Sequence, residues 1–171
     1  ATSTDTKYSG MNADDVSLTN TEGANVVPVN TLPASIPVTE DIATALTGIS
    51  IVDDDAGSAD MLVTLSVPTG TLAATTGGNV TVGGSGTALT LTGSAADINT
   101  FIAASNATYT TAADANGSVT LTVHTSDQGN SGTGGVQNDS DEVTLNITAV
   151  NDAPVLDTSG SMTLTSITED N

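Results

Sequence analysis

Sixteen aspartates and four glutamates stand against one lysine, Lys7, in a chain of 171 residues whose formal net charge is −19. Much of the acid is bunched. Asp53-Asp54-Asp55-Ala56-Gly57, Asp127-Gln128-Gly129, Asn138-Asp139-Ser140-Asp141 and Asn151-Asp152-Ala153-Pro154 read as short loop clusters. Carboxylates and loop carbonyls are ligands for hard cations, and calcium takes about six to eight oxygens in a flexible shell. Bound cation would also relieve the self-repulsion of so acidic a chain on compaction. Two plainer readings stand beside metal: acid keeps a secreted protein soluble, and Asp and Asn serve turns by bonding their own backbone.

Other chemistry finds little footing. His124 is the sole imidazole, and its neighbours on one strand face are threonines, with Ser126 the nearest nucleophile by sequence. A hydrolase would need a paired base in reach, so no catalytic residue is assigned and an enzyme is not expected. Paired carboxylates hydrolyse glycosides in other settings, but the chain has no tryptophan and two tyrosines. Nothing here could neutralise phosphates, which argues against nucleic acid. Gly83-Gly84-Ser85-Gly86-Thr87-Ala88-Leu89 departs from a calcium β-roll repeat at Ala88 and does not recur; it reads as a flexible hairpin.

Positioning the acid requires a fold, and the composition bounds one. Apolar residues make up 37% of the chain and mean hydropathy is slightly positive, so one ordinary core is expected. With Tyr8, Tyr109 and Phe101 the only aromatics, that core must be built from Val, Leu, Ile, Ala and threonine methyls. Such a core gains from a staple. Cysteine is absent, which leaves metal. No stretch is long and apolar enough to cross a bilayer, and the first residues lack the basic and apolar regions of a signal peptide. The expectation is a soluble mature segment or excised piece of an extracellular protein, without membrane insertion.

Alternation of period two predicts antiparallel strands. Met61, Val63, Leu65 and Val67 share one face; so do Val119, Leu121 and Val123, and again Val143, Leu145, Ile147 and Ala149. Weaker strands are expected around 46–51, 79–82, 88–91 and 107–110. Behind Ser94, the apolar positions Ile98, Phe101 and Ile102 fall at helical spacing, which predicts one short helix over about 95–104 with Phe101 as a plug. The fold class is therefore all-β with one short helix.

The two ends echo each other. Asp14-Asp15-Val16-Ser17-Leu18 leading to Pro28 resembles Asp141-Glu142-Val143-Thr144-Leu145 leading to Pro154, and Thr39-Glu40-Asp41 resembles Thr168-Glu169-Asp170. The offsets give a repeat period of about 126 to 129 positions. Residues 1–24 then read as the last strand of a preceding unit or an extension, 25–151 as a full unit, and 152–171 as a linker and the first strand of the next.

Glu40, the D-x-D-A-G run at Asp53, Thr125-Ser126-Asp127-Gln128-Gly129 and Asn151-Asp152-Ala153-Pro154 occur in the order of cadherin motifs. Over about residues 27–155 the chain resembles the cadherin-like tandem repeats of large bacterial surface adhesins of the RTX type. It departs from them in Thr125, in a short linker poor in acid, in the lack of a mid-chain L-D-R-E, and in a preceding linker, Ala24 to Pro28, without aspartate. The resemblance implies an Ig-like or cadherin-like antiparallel Greek-key β-sandwich on a bacterial cell surface. Asp53, Asp55 and Asp127 would share one calcium ion at the end facing the previous unit, with Asp54 pointing outward. Glu40, Asn151 and Asp152 would gather at the other end, completed by a following unit. The expected role is a non-enzymatic spacer stiffened by calcium, with neighbouring repeats as partners. Two alternatives are kept. One is a module that binds a cell-surface sugar or protein through the loop from Asp127 to Asp141. The other is a self-associating filament subunit that exchanges the strands at 15–21 and 162–167.

Overall fold

The structure is a computed structural model and describes residues 23–154 and 160. The expected terminal strands at 15–21 and 162–167, and the flanking units to which they were assigned, lie outside the described residues. Eleven strands and one helix follow in order: β1 (Val29–Thr31), β2 (Ser35–Thr39), β3 (Thr44–Ala45), β4 (Ser50–Val52), β5 (Met61–Ser66), β6 (Thr71–Ala74), β7 (Thr81–Ser85), β8 (Ala88–Gly93), α1 (Ala95–Ala103), β9 (Ala107–Thr110), β10 (Gly117–Ser126) and β11 (Asn138–Thr148). The described residues form an all-β sandwich with one short helix.

One layer is a six-stranded sheet in the order β2-β11-β10-β5-β8-β7. Its inner face follows the alternation closely: Met61, Val63 and Leu65 on β5, Leu89 and Leu91 on β8, Leu121 and Val123 on β10, and Val143 and Leu145 on β11 are all buried. Facing it are the three-stranded sheet β3-β9-β6, the pair β1-β4 and α1, which contribute Leu46, Ile51, Leu72, Tyr109, Ile98, Phe101 and Ile102 to the same core. Tyr109 is fully buried, and its hydroxyl donates to the Thr69 carbonyl at 3.2 Å. His124 lies on the exposed face of β10, as the alternation requires.

Two details depart from the expectation. First, β2 runs parallel to β11, with Ile36 opposite Leu145 and Val38 opposite Ile147, so the large sheet is mixed rather than purely antiparallel. Pro37 sits at this sheet edge, where a missing N–H costs nothing. Second, the acid of Asn138 to Asp141 is not in a loop: it begins β11 and pairs with β10 residues Val123 to Ser126. The long loop therefore ends at Gln137. The glycine run at 83–86 lies in a β7–β8 hairpin, as expected, with Gly84 and Gly86 at φ of 73° and 76° and Val82 opposite Leu91.

The helix is placed by a polar clamp as well as by its apolar face. Ser94 caps it, its hydroxyl accepting from the Asp97 N–H at 3.2 Å. One face buries Ile98, Phe101 and Ile102. From α1 the Asn99 amide accepts from the Ile51 N–H at 2.9 Å and donates to the Ile51 carbonyl at 2.8 Å. It thus imitates a neighbouring strand along the free side of β4, just before the chain enters the aspartate loop.

Candidate functional site

β10 carries the acid to both ends of the sandwich. Ten residues at about 3.3 Å each span roughly 30 Å, from Gly117, three residues after Asp114, to Ser126, one before Asp127. β11 returns alongside it, from Asn138 to Thr148. Two separate acidic ends result.

At the first end Asp53 folds the loop onto itself. Its Oδ1 accepts from the Asp55 and Ala56 N–H groups at 3.3 and 3.2 Å, and Gly57 takes a φ of 56° that an L side chain would resist. Asp54 is exposed. Asp55 Oδ2 accepts from the Val26 N–H at 3.0 Å. The remaining oxygens, Asp53 Oδ2 and Asp55 Oδ1, are both buried and have no donor. The two carboxyls lie within hydrogen-bonding reach of each other, and that contact is a bond only when one of them holds a proton. Burial, then the facing Asp55 carboxyl, pushes the Asp53 pKa up. Burial also acts upward on Asp55 but is outweighed, chiefly by the Val26 N–H and the Asp53 carboxyl, so its pKa falls below the ordinary value.

Asp127 is fully buried at the same end, yet it is engaged differently. Its Oδ1 accepts from the Gly129 and Gln137 N–H groups, both at 2.8 Å, and its Oδ2 accepts from the Asn25 amide at 2.5 Å. The Asn25 amino group also reaches the Gly135 carbonyl at 2.5 Å. Asn25 and Val26 are adjacent, so the entering segment bridges Asp127 to Asp55. That segment is fastened by bonds from the Asn25 N–H to the Thr133 carbonyl at 2.9 Å and from the Thr133 N–H to the Gly23 carbonyl at 2.8 Å. Gly132 permits this approach, because a Cβ there would stand 2.5 Å from the Asn25 nitrogen. The Asp60 carbonyl joins the loops by accepting from Gln128 and Asn130 at 3.0 and 2.6 Å.

At the second end Glu40 is 2% exposed. Its Oε2 accepts from the Val150 N–H at 2.8 Å, whereas Oε1 is buried without a partner. Asp152 is exposed, and its pKa is raised, first by the Asp114 carboxyl in hydrogen-bonding reach, then by burial and by repulsion from Asp41, Asp114 and Glu40. Asn151 is exposed too, with its amide donating to the Asp152 carbonyl at 3.2 Å. Asp41 and Asp114 were not singled out from the sequence. Both adopt the left-handed region, at φ of 61° and 55°, and the Asp41 N–H donates to Thr111 Oγ1 at 3.2 Å. Asp41 follows Glu40 directly and offered a signal; Asp114, isolated among alanines, offered none.

Asp139 has a structural duty: its Oδ2 accepts from the Asn30 N–H at 2.7 Å, while the Asn30 side chain bonds Thr125 and the Val123 carbonyl. Among the described residues, no three His, Cys, Asp or Glu side chains are gathered closely enough to hold a metal by themselves. Both ends also carry exposed apolar groups. The exposed large apolar side chains among the described residues are Val26, Val27, Val29, Val52 and Val136 around the first end, and Ile42 and Val150 beside Glu40. No described helix is long and apolar enough to cross a membrane.

No protein-family model matches the chain, and no curated protein matches it.

Proposed function

We propose that this chain is a calcium-binding, non-enzymatic extender unit of an extracellular bacterial adhesin, stiffened by calcium where consecutive units meet. The observation that carries the reading is the set of buried carboxylate oxygens without donors: Asp53 Oδ2 and Asp55 Oδ1 at one end, Glu40 Oε1 at the other. A buried charged acceptor left unpaired costs about 1–3 kcal/mol or more, and two acceptors turned on each other cannot satisfy one another. A cation can satisfy both.

Oxygen-only donors suit calcium rather than softer metals. At the first end Asp53 and Asp55 would hold the ion. Asp127 and the Gly135 carbonyl lie across the entering segment, and the Asn25 amide, whose two ends are interchangeable by a half-turn, would offer its oxygen to a cation between them. At the second end Glu40 and Asp152, with Asp41 and Asp114 near Asp152, do not form a cluster by themselves and would need oxygens from a neighbouring unit. Neither end is a closed cage, which accords with a junction completed by a neighbouring unit. The exposed valines beside the first end and Ile42 and Val150 beside the second would be covered in the same contact.

The ion's contribution is charge neutralisation; the chain's is to present oxygens at both ends of a rigid strand pair. Three tandem copies should give a longer, narrower small-angle scattering envelope in millimolar calcium than in chelator. Superimposable curves in the two conditions would remove the mechanism.

A further inference from the structure

We infer that Asn116 is a spontaneous deamidation site that ages the second acidic end by adding a carboxylate to it. Of the asparagines in the chain, Asn116 alone is followed by glycine. The step lies where the turn after β9 enters β10, with both residues exposed. The Asn116 amide is held only by a 3.5 Å contact to the Asp114 carbonyl, too long to immobilise it. Gly117 stands at a φ of 83°. It has no Cβ to obstruct approach of its nitrogen to the neighbouring side chain.

The chemistry requires only water. The Gly117 nitrogen attacks Asn116 Cγ, a bond forms between them, the Cγ–Nδ2 bond breaks, and ammonia leaves with the transferred proton. Water then opens the cyclic imide. Cleavage at Cγ gives an aspartyl residue; cleavage at the main-chain carbonyl gives the isoaspartyl form, in which the backbone runs through Cγ. Other exposed asparagines lack the unobstructed neighbour: Asn130 precedes serine and Asn151 precedes aspartate.

Position gives the change its consequence. Asp114, two residues upstream, already lies within hydrogen-bonding reach of Asp152. The product places another negative charge beside this pair. The isoaspartyl form also lengthens the backbone immediately before Gly117, which opens β10 opposite Ile147.

The test is incubation of the whole chain at mildly alkaline pH, followed by cleavage at acidic residues and peptide mass spectrometry. Deamidation at Asn116 should proceed at least about ten-fold faster than at Asn130 or any other asparagine. Asn116→Gln should abolish the added negative charge seen on anion exchange. Asn116→Asp, which supplies the charge without the backbone change, should lower the thermal midpoint in chelator, and calcium should restore it. An intact Asn116 after aging, or loss of amide spread evenly over the other asparagines, overturns the site. Calcium rescue is the one part that rests on the proposed function: modification at Asn116 without rescue overturns that reading and leaves the site standing, and rescue with an intact Asn116 does the reverse.

Discussion

Glu40 shows how a single side chain can be both a fastening and an ion ligand. Oε2 ties down Val150, and Oε1 is buried with nothing to accept from. Glu40→Gln keeps the shape and removes the charge, so in chelator it should leave stability unchanged or raise it. In calcium it should lose part of the stabilisation that the ion gives the parent chain. Glu40→Ala also removes the Val150 bond and should cost about 1–3 kcal/mol in either condition. Parallel urea titrations of the two variants, with and without calcium, separate these outcomes. Protons should imitate the ion at Asp53 and Asp152. Their folded pKa values are raised above 3.8, so between that value and the raised one the folded chain holds more protons than the unfolded chain. Stability in chelator should therefore rise as pH falls from neutral through that window. Asp55, lowered below 3.8, acts in the opposite sense and withdraws its contribution only in stronger acid. Because protons and calcium compete for these oxygens, the calcium-induced rise in thermal midpoint should shrink as pH drops. A calcium increment independent of pH would contradict the assignment of Asp53 and Asp152.

The elements hold these side chains by devices of unequal visibility in the sequence. Alternation of Met61, Val63 and Leu65, and of Leu121 with Val123, was legible because one face of each strand is buried and the other solvated. The helix was legible from Ile98, Phe101 and Ile102 behind Ser94. Strands β1, β2 and β6 were not, since runs of three to five residues with only one or two buried positions carry too little periodicity to stand out. Nor does any local signal announce that Asn99 would serve Ile51, 48 positions away. Removing that clamp by Asn99→Ala leaves the buried Ile51 N–H and carbonyl unsatisfied and should cost about 2–4 kcal/mol in chemical denaturation. A loss below about 0.5 kcal/mol would mean that water or a shifted strand replaces it. Of the candidate ligands, Asp53 and Asp55 stand with their carboxyls facing each other. Asp127 is at the same end, but its oxygens are occupied by Gly129, Gln137 and Asn25, a competition from loop backbone that spacing alone does not reveal. Gly132→Ala tests how the entering segment is seated. Its Cβ would collide with Asn25, so hydrogen exchange at the Asn25 N–H should quicken markedly while β10 amides stay protected. Unchanged exchange there would show that the segment can dock without the close approach.

For the molecule as a whole, the core is built without cysteine or tryptophan, and the acid is concentrated where the layers end. Neutralising those ends should stabilise the fold by mass action: with free calcium at about a hundred times Kd, one site adds roughly 2.7 kcal/mol, a large fraction of a marginal domain's stability. The rigid β10–β11 pair would then transmit order from one end to the other, so that acidity becomes stiffness along the strand axis. Calorimetric titration of calcium into the parent chain and into the Asp53→Asn/Asp55→Asn double variant tests this most directly. Saturable binding in the parent, with a Kd of about 10^-4 to 10^-3 M as extracellular modules show, should lose its component from the first end in the variant while Glu40 and its neighbours still bind. Absence of binding heat and of any thermal shift in the parent at millimolar calcium, or identical isotherms for the two chains, would contradict the account.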